Sequence, residues 1–417
     1  MSKLQPVRGT KDILPAEMNT HSYIETVGED FAGRFGYARV ATPIFEFTKV
    51  FARTLGDTSD IVTKEMYTFE DKGGDSLTLR PEGTAGIARA FITEGLKQEV
   101  PVKFFYSGPM FRHERPQKGR MRQFHQIGVE LIGVETPTAD VEVIALAAAI
   151  LGELGVLEDT DLHLNTLGDG DSRQAYLAAL LDYLKDHANA LSPDSQTRLE
   201  RNPLRILDSK ADEDREIVAA APTITDYLSS PARDFFAALC QGLDDLEIAY
   251  QLNPKLVRGL DYYCHTAFEF ITDKLGSQGT VLAGGRYDGL IEMLGGAPTP
   301  GIGWAAGIER LSMLLDDVPA PPRPIAIIPL GHAAERMAAK LANQLRLAGF
   351  IIELAYRGNL TRRLKRANKL GACAAVIIGD DELADGAATL RDLDSGAQST
   401  APLDGLASRL VSFQAPR

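Results

Sequence analysis

The stretch "GPMFRHERPQKGRMRQFHQIGVE", Gly108 to Glu130, sets Arg112, Arg115, Lys118, Arg120 and Arg122 against a single early acid, Glu114. The chain around it is acidic, with 417 residues and a formal net charge of -13. From about Arg120 the pattern predicts an extended strand, in which Phe124, Gln126, Gly128 and Glu130 project to one face. That face offers an aromatic surface, an amide, a clearance and an acceptor in register. The arginines before it suit phosphate oxygens, through charge-assisted and sometimes bidentate hydrogen bonds. Such an arrangement fits a nucleotide whose base stacks while its phosphates meet positive charge. Taken alone, the stretch also reads as a solvated basic loop before a half-buried strand.

Composition narrows the field. With 44% apolar residues the chain is that of an ordinary folded protein, and its length predicts two or three domains. Cys240, Cys264 and Cys373 lie far apart and the seven histidines are scattered. No disulfide framework or protein-bound zinc is therefore expected, and a reducing compartment is. The N-terminus lacks the pattern of a signal peptide and no apolar run approaches about 18 residues, so a cytoplasmic protein without a membrane segment is expected. The acidic balance opposes promiscuous binding to nucleic acid. A local exception is "YRGNLTRRLKRANK", where Arg357, Arg362, Arg363, Lys365, Arg366 and Lys369 gather without an acid between them.

Working outward, a helix is predicted from Pro15 to a stop near Gly36, and "YARVATPIFEF" reads as a strand broken at Pro43. Strands at "EMYTFED" and "DSLTLRP", joined by "KGGD", are expected to form one largely antiparallel sheet with 103–109 and 123–132. A helical run follows from Ala139 to about Glu153. The expected organisation is an α+β catalytic core over 1–168 and 251–318, interrupted by a helical insertion at 169–250. After a proline-rich linker at 319–324, segments 325–417 alternate short apolar strands with helices. That alternation predicts a small α/β domain with a parallel sheet.

Four further strings carry chemistry. In "LRPEGTAG", Glu82 and Thr84 sit at a strand-to-helix transition; Glu82 with Glu130 suits a ligand ammonium, and Glu82 alone also reads as a helix cap. "LVRGLDYYCHTAFEF" brings Arg258, Asp261, Tyr262 and Tyr263 ahead of an apolar strand. "LAGGRYDGL" offers Arg286, Tyr287 and Asp288 beside glycines. "GIGWAAGIERLSMLL" begins with close-spaced glycines and turns helical toward Arg310, a cation for a terminal phosphate. The chain contains no P-loop, so side-chain arginines must handle phosphate, with magnesium neutralising part of its charge.

Together these strings resemble the histidyl-tRNA synthetase family of class II aminoacyl-tRNA synthetases, from about Pro6 through the C-terminal domain. The region ending near Pro43 is similar to the first class motif, 106–131 to the second and 301–314 to the third. "PEGT", "LVRGLDYY" and "AGGRYDGL" carry the narrower likeness. The resemblance implies ATP-dependent ligation of L-histidine to tRNA(His) through histidyl-adenylate, with magnesium accompanying ATP and no dedicated protein metal site. It implies that Glu82, Thr84, Gln126, Glu130, Tyr263 and Tyr287 bind histidine. It places Phe124 against adenine, Arg112 at the α-phosphate, Arg310 near the γ-phosphate and Glu114 in the ATP site, with Arg112 and Arg258 catalytic. Arg120 is implied at the nucleotide or the acceptor end, and Gln117, Lys118, Arg362, Arg363 and Arg366 are candidate tRNA contacts. An anticodon-binding C-terminal domain and a homodimer are also implied. The rival is a synthetase-like regulatory subunit of ATP phosphoribosyltransferase, against which the intact arginines and histidine pocket weigh.

Overall fold

Alternation in the opening stretch becomes a ten-residue strand, Gln123–Ile132, third from one edge of an eight-stranded sheet. The computed structural model describes residues 4–55, 61–207, 209, 211–257, 262–276 and 279–413. It divides into two units, Met1–Val318 and Pro319–Arg417. The first contains β1 (Ala38–Arg39), β2 (Phe45–Phe47), β3 (Tyr67–Glu70), β4 (Ser76–Leu79), β5 (Val102–Phe111) and β6 (Gln123–Ile132). It continues with β7 (Asp161–Thr166), β8 (Gln251–Leu252), β9 (Cys264–Ile271), β10 (Thr280–Arg286) and β11 (Gly301–Gly307). Eight of these form one sheet in the order β1-β5-β6-β11-β10-β9-β7-β8. Its pairings are antiparallel except at the two margins, where β1 runs parallel to β5 and β8 to β7.

The two faces of β6 explain the sheet's position. Ile127, Val129 and Leu131 enter a core with Val143, Ile144, Ala147 and Leu151 of the helix Pro137–Glu153, and with Ile24 and Val27 of the helix Pro15–Arg34. Burying each large aliphatic side chain contributes about 1.5–3 kcal/mol, which holds the strand's register. The alternate residues Phe124, Gln126, Gly128 and Glu130 are thereby turned to the opposite face, as the period of two requires.

Several expectations are corrected. Pro43 breaks its segment into two strands that join different sheets: β1 enters the large sheet, whereas β2, β4 and β3 make a separate three-stranded one. Its cross-strand partners place Phe45, Phe47, Tyr67, Phe69, Leu77 and Leu79 on one face. That face is solvent-exposed, with Phe45 at 52% and Phe47 at 46%, while Glu46 on the other face is buried against Arg89. The apolar-in rule is inverted in this separate sheet. β7 and β11 go beyond the expected strands; β11, Gly301–Gly307, is built mostly of glycine and alanine with only Ile302 and Trp304 and lacks the usual branched run.

The segment between β7 and β8 is helical, but not one body. Tyr176, Leu180, Leu184, Ile206 and Ile217 form a core of their own, whereas Leu239 and Leu243 of the helix Ser230–Asp245 enter the main core. In the second unit, β12 (Ile325–Pro329), β13 (Ile352–Leu354) and β14 (Ala374–Ile378) are parallel. β15 (Ala387–Asp392) and β16 (Gln398–Pro402) extend the sheet antiparallel, so it is mixed rather than parallel. The overlooked signal is the "DSG" turn, Asp394 to Gly396, between them, with Gly396 at a φ of 77°. No helix of the described residues is long and apolar enough to cross a membrane.

Candidate active site

A cavity of about 340 Å³ opens on the polar face of β6. Glu82, Thr84, Gln126, Tyr262 and Tyr263 line one part of its wall; Arg112, Glu114, Arg120, Glu269 and Arg310 line another, with Phe124 also on the wall. Each group is placed by local structure.

Thr84 and Ala85 open the helix Thr84–Thr93, and their N–H groups donate to the Glu82 carboxylate at 2.6 and 2.9 Å. Glu82 therefore satisfies the first N–H groups of the helix and at the same time lines the cavity. Thr84 Oγ1 donates to Glu130 at 2.7 Å, and the Tyr287 hydroxyl donates to the other oxygen of the same carboxylate. Burial pushes the Glu130 carboxyl up to about 8, against the hydrogen bonds from Tyr287 and Thr84 that favour its ionised form. Glu82 is likewise raised by burial and held back by the backbone donors of Ala85 and Thr84. The buried Oε1 of Gln126 has no hydrogen-bond partner, so a polar ligand here would satisfy it.

Glycines make the room. A Cβ on Gly303 of β11 would lie 2.0 Å from Glu130 Oε2, and one on Gly128 would lie 2.4 Å from the Tyr106 hydroxyl. Within β11, Gly303 is thus the residue that leaves room for the pocket acid, and Gly301 leaves room for the Tyr287 ring, where a Cβ would lie 2.3 Å from it.

Around the arginines the wall is strongly polar. Arg112 donates to the Pro81 carbonyl at 2.9 Å and its guanidinium lies 5.2 Å from the Phe124 ring centroid. Glu114 is in charge contact with Arg120 at 2.5 Å and lies 3.9 Å from Arg112. Arg310 donates to Gly119 O at 3.2 Å and Thr280 O at 2.6 Å. Its pKa is lowered by burial and then by the like charges of Arg120 and Arg112. Three guanidinium groups on one wall, with Glu114 beside two of them, make this part of the cavity suited to an anion.

The structure thus brings together Glu82, Thr84, Arg112, Glu114, Arg120, Phe124, Gln126, Tyr263 and Arg310 on one cavity wall, with Glu130 beneath it. Tyr287 is fully buried behind Glu130 rather than on the wall. Arg258 and Asp261 lie outside the described residues. Gln117 and Lys118 are exposed on the loop joining β5 to β6. In the second unit, Arg362 and Arg366 are exposed on the helix Leu360–Lys369, but Arg363 is not. Its guanidinium is buried, donating to the carbonyls of Gly358 and Pro329, with Glu335 3.7 Å away. The string of cations concealed this, because one position in each turn must face the sheet.

A family model described as Histidyl-tRNA synthetase matches residues 9–311, and one described as Anticodon binding domain matches residues 324–412. A "Histidine--tRNA ligase" of Rhodospirillum rubrum is 61% identical over 415 residues, covering 99% of this chain and 100% of that one. The chain belongs to the histidyl-tRNA synthetase family. Another member, from Gluconacetobacter diazotrophicus, is 56% identical, covering 99% of this chain and 100% of its own. The fold agrees: the crystal structure of apo S. aureus histidyl-tRNA synthetase superposes with a TM-score of 0.82 at 36% identity, covering 98% of this chain and 99% of that one.

Sequence reading missed two carboxylates of this family member's cavity, Glu269 and Glu309. Glu269 alternates with Phe268 and Phe270, both in the main core, which leaves it on the cavity face. Glu309 directly precedes Arg310, and it accepts from the backbone N–H of His125 at 2.9 and 3.0 Å and lies 2.9 Å from His125 Nδ1.

Proposed function

We propose that this protein joins L-histidine to tRNA(His) in two steps, through a histidyl-adenylate. The observation that carries the reading is one cavity in which Glu82, Thr84 and Gln126 share a wall with Arg112, Arg120 and Arg310. An ammonium suits the two buried carboxylates, since a cation between them offsets the desolvation that raises both. Gln126 and Tyr263 select the imidazole by hydrogen bonds, which discriminate against apolar analogues more sharply than shape does. Tyr287 acts through Glu130, fixing its carboxylate.

Phe124 receives adenine, with Arg112 at the α-phosphate and Arg310 at the γ-phosphate. A histidine carboxylate oxygen attacks the α-phosphorus and pyrophosphate leaves; a terminal ribose hydroxyl of the tRNA then attacks the acyl carbon and AMP leaves. No protein nucleophile is needed. Arg112 stabilises the charge that develops on the transferring phosphate, and resemblance assigns Arg258 to the same task. Glu114 and Glu269 are hard oxygen donors beside these arginines, so the wall fits magnesium brought in with ATP. That ion would neutralise charge on the leaving pyrophosphate. Arg120, Gln117 and Lys118 are proposed to meet the acceptor end, and Arg362 and Arg366 the tRNA backbone.

The exposed aromatic face of the three-stranded sheet supports a homodimer, because apolar patches of this kind mark association surfaces. Light scattering should report a dimer that Phe47→Glu dissociates; an unchanged mass would place the interface elsewhere. Cytoplasmic residence accords with this reading. ATP-pyrophosphate exchange with each of twenty amino acids, then charging of purified tRNA(His), tests the function. Exchange confined to histidine together with charging is expected. A folded, magnesium-supplied protein that does neither would favour the regulatory alternative.

A further inference from the structure

Beside the cavity, where His125 turns to the opposite face of β6 from Phe124 and Gln126 and Glu309 also borders the cavity wall, three side chains able to ligate a metal converge from distant parts of the chain. His21 comes from the helix Pro15–Arg34, His125 from β6 and Glu309 from the helix Ile308–Ser312. One ligand atom from each lies within 4.8 Å of the other two, a grouping found nowhere else among the described residues. We propose that His21, His125 and Glu309 form a binding site for a divalent cation of the zinc, nickel and copper class.

The donor set selects that class, since two imidazoles and one carboxylate suit borderline metals, whereas magnesium and calcium prefer oxygen alone. The separations are close to what ligation requires. With metal–ligand bonds of about 2.0–2.2 Å, neighbouring donors sit roughly 3–3.5 Å apart. His125 Nδ1 and Glu309 Oε1 are already 2.9 Å apart, so only His21 has to close in, by at most a small side-chain adjustment. Glu309 is held for the purpose, because its carboxylate also accepts the His125 backbone N–H.

A second observation comes from His21 itself. It is 1% exposed, and its Nε2 has no hydrogen-bond partner. An unsatisfied polar nitrogen in the interior is costly, and most buried polar groups avoid it. If His21 were only a packing residue, an apolar ring would serve without that cost. Its ring meets that of His125 edge to face, 5.4 Å between centroids. A cation between the two rings and the carboxylate would use the idle nitrogen.

Occupied, the site ties three elements together. His125 lies between Phe124 and Gln126, and Glu309 directly precedes Arg310, so the ion braces the strand and helix that carry cavity residues. It is distinct from magnesium entering with ATP, which needs no imidazole. Three protein ligands leave at least one coordination position for water.

The test uses the untagged full-length protein, stripped of metal, titrated with zinc chloride by calorimetry, with X-ray absorption on the zinc-loaded sample. One zinc per chain is expected, with a first shell of nitrogen and oxygen and the scattering pattern of imidazole. His21→Phe and His21→Asn should each weaken binding at least about tenfold, a loss of about 1.4 kcal/mol, while histidine-dependent exchange in zinc-free buffer persists. Zinc should also raise the melting temperature of the parent protein and not of the variants. Sulfur in the first shell would assign the ion to a cysteine and overturn the proposal. So would equal zinc affinity in a folded His21 variant, or no binding by the parent protein. Should neither variant fold, the absorption spectrum of the parent still decides.

Discussion

Two basic regions of the chain look alike as strings and behave differently as structures. In the first, Arg112, Arg120 and Arg310 crowd one cavity wall, and burial, followed by the like charges of Arg120 and Arg112, depresses the Arg310 pKa. In the second, Arg362, Lys365, Arg366 and Lys369 spread over the exposed face of one helix, each screened by water. Crowded charge is kept only where an anion of defined shape compensates it. Spread charge costs little and can meet any phosphate backbone. A single cation should therefore matter far more in the first region than in the second.

The largest effect is expected at Arg112. Arg112→Ala should lower histidine-dependent pyrophosphate exchange by about 10²–10³-fold, the usual consequence of removing a donor aimed at developing charge. A loss under about fivefold, or one confined to KM, would remove Arg112 from the phosphate. Arg363 sharpens the contrast from inside the second region. Arg363→Ala strands the carbonyls of Gly358 and Pro329 and should destabilise the C-terminal unit by roughly 1–3 kcal/mol. Chemical denaturation would show it as a lower midpoint, with exchange activity intact below the transition. An unchanged midpoint would mean that its buried contacts contribute nothing.

The difference between Arg363 and its neighbours also marks what sequence can reveal. Alternation along 123–132 was legible because burying Ile127, Val129 and Leu131 forces Phe124, Gln126 and Glu130 to the other face. "PEGT" was legible because a carboxylate before a helix has few other uses. β11 was not, since Gly303 and Gly301 make room for Glu130 and Tyr287 rather than supplying strand propensity. Glu269 and Glu309 escaped for another reason: a lone acid in an apolar run acquires meaning only from what the fold sets opposite it. The outward aromatic face of β2, β3 and β4 was hidden by its alternation, which shows that one face is apolar without showing which way that face points.

A third prediction separates the regions by pH. Glu130 is held near 8 by its burial, against the hydrogen bonds from Tyr287 and Thr84 and with a smaller push from Glu82, and so is protonated at neutral pH in the ligand-free protein. An ammonium that binds the ionised form must expel that proton. Histidine affinity should therefore rise with pH from about 6.5 to 8, by up to about tenfold per unit, and level off above 8. Histidine's own imidazole titrates nearby, so the Glu130→Gln variant supplies the baseline. Its slope should be shallower and its affinity lower throughout. The same linkage makes the ligand-free protein lose stability as pH rises from 4.5, where an unperturbed carboxyl ionises, to about 8. Equal slopes in the two proteins would show that Glu130 does not exchange a proton on binding.

The smallest effect belongs to the exposed helix. Arg362→Gln with Arg366→Gln removes two solvated charges, one of which lies 3.3 Å from Glu353, so little folding stability is at stake. If both meet phosphates, the KM for tRNA should rise severalfold and the dependence of binding on salt should become shallower by about two counterions. Pyrophosphate exchange needs no tRNA and should stay unchanged. That combination would confirm the division of labour between crowded and spread charge. A fall in exchange as well would mean that the helix influences adenylate formation. A tRNA KM with an unaltered salt slope would mean that these arginines face solvent in the complex as they do in the free protein, and that the second region is basic without being a contact.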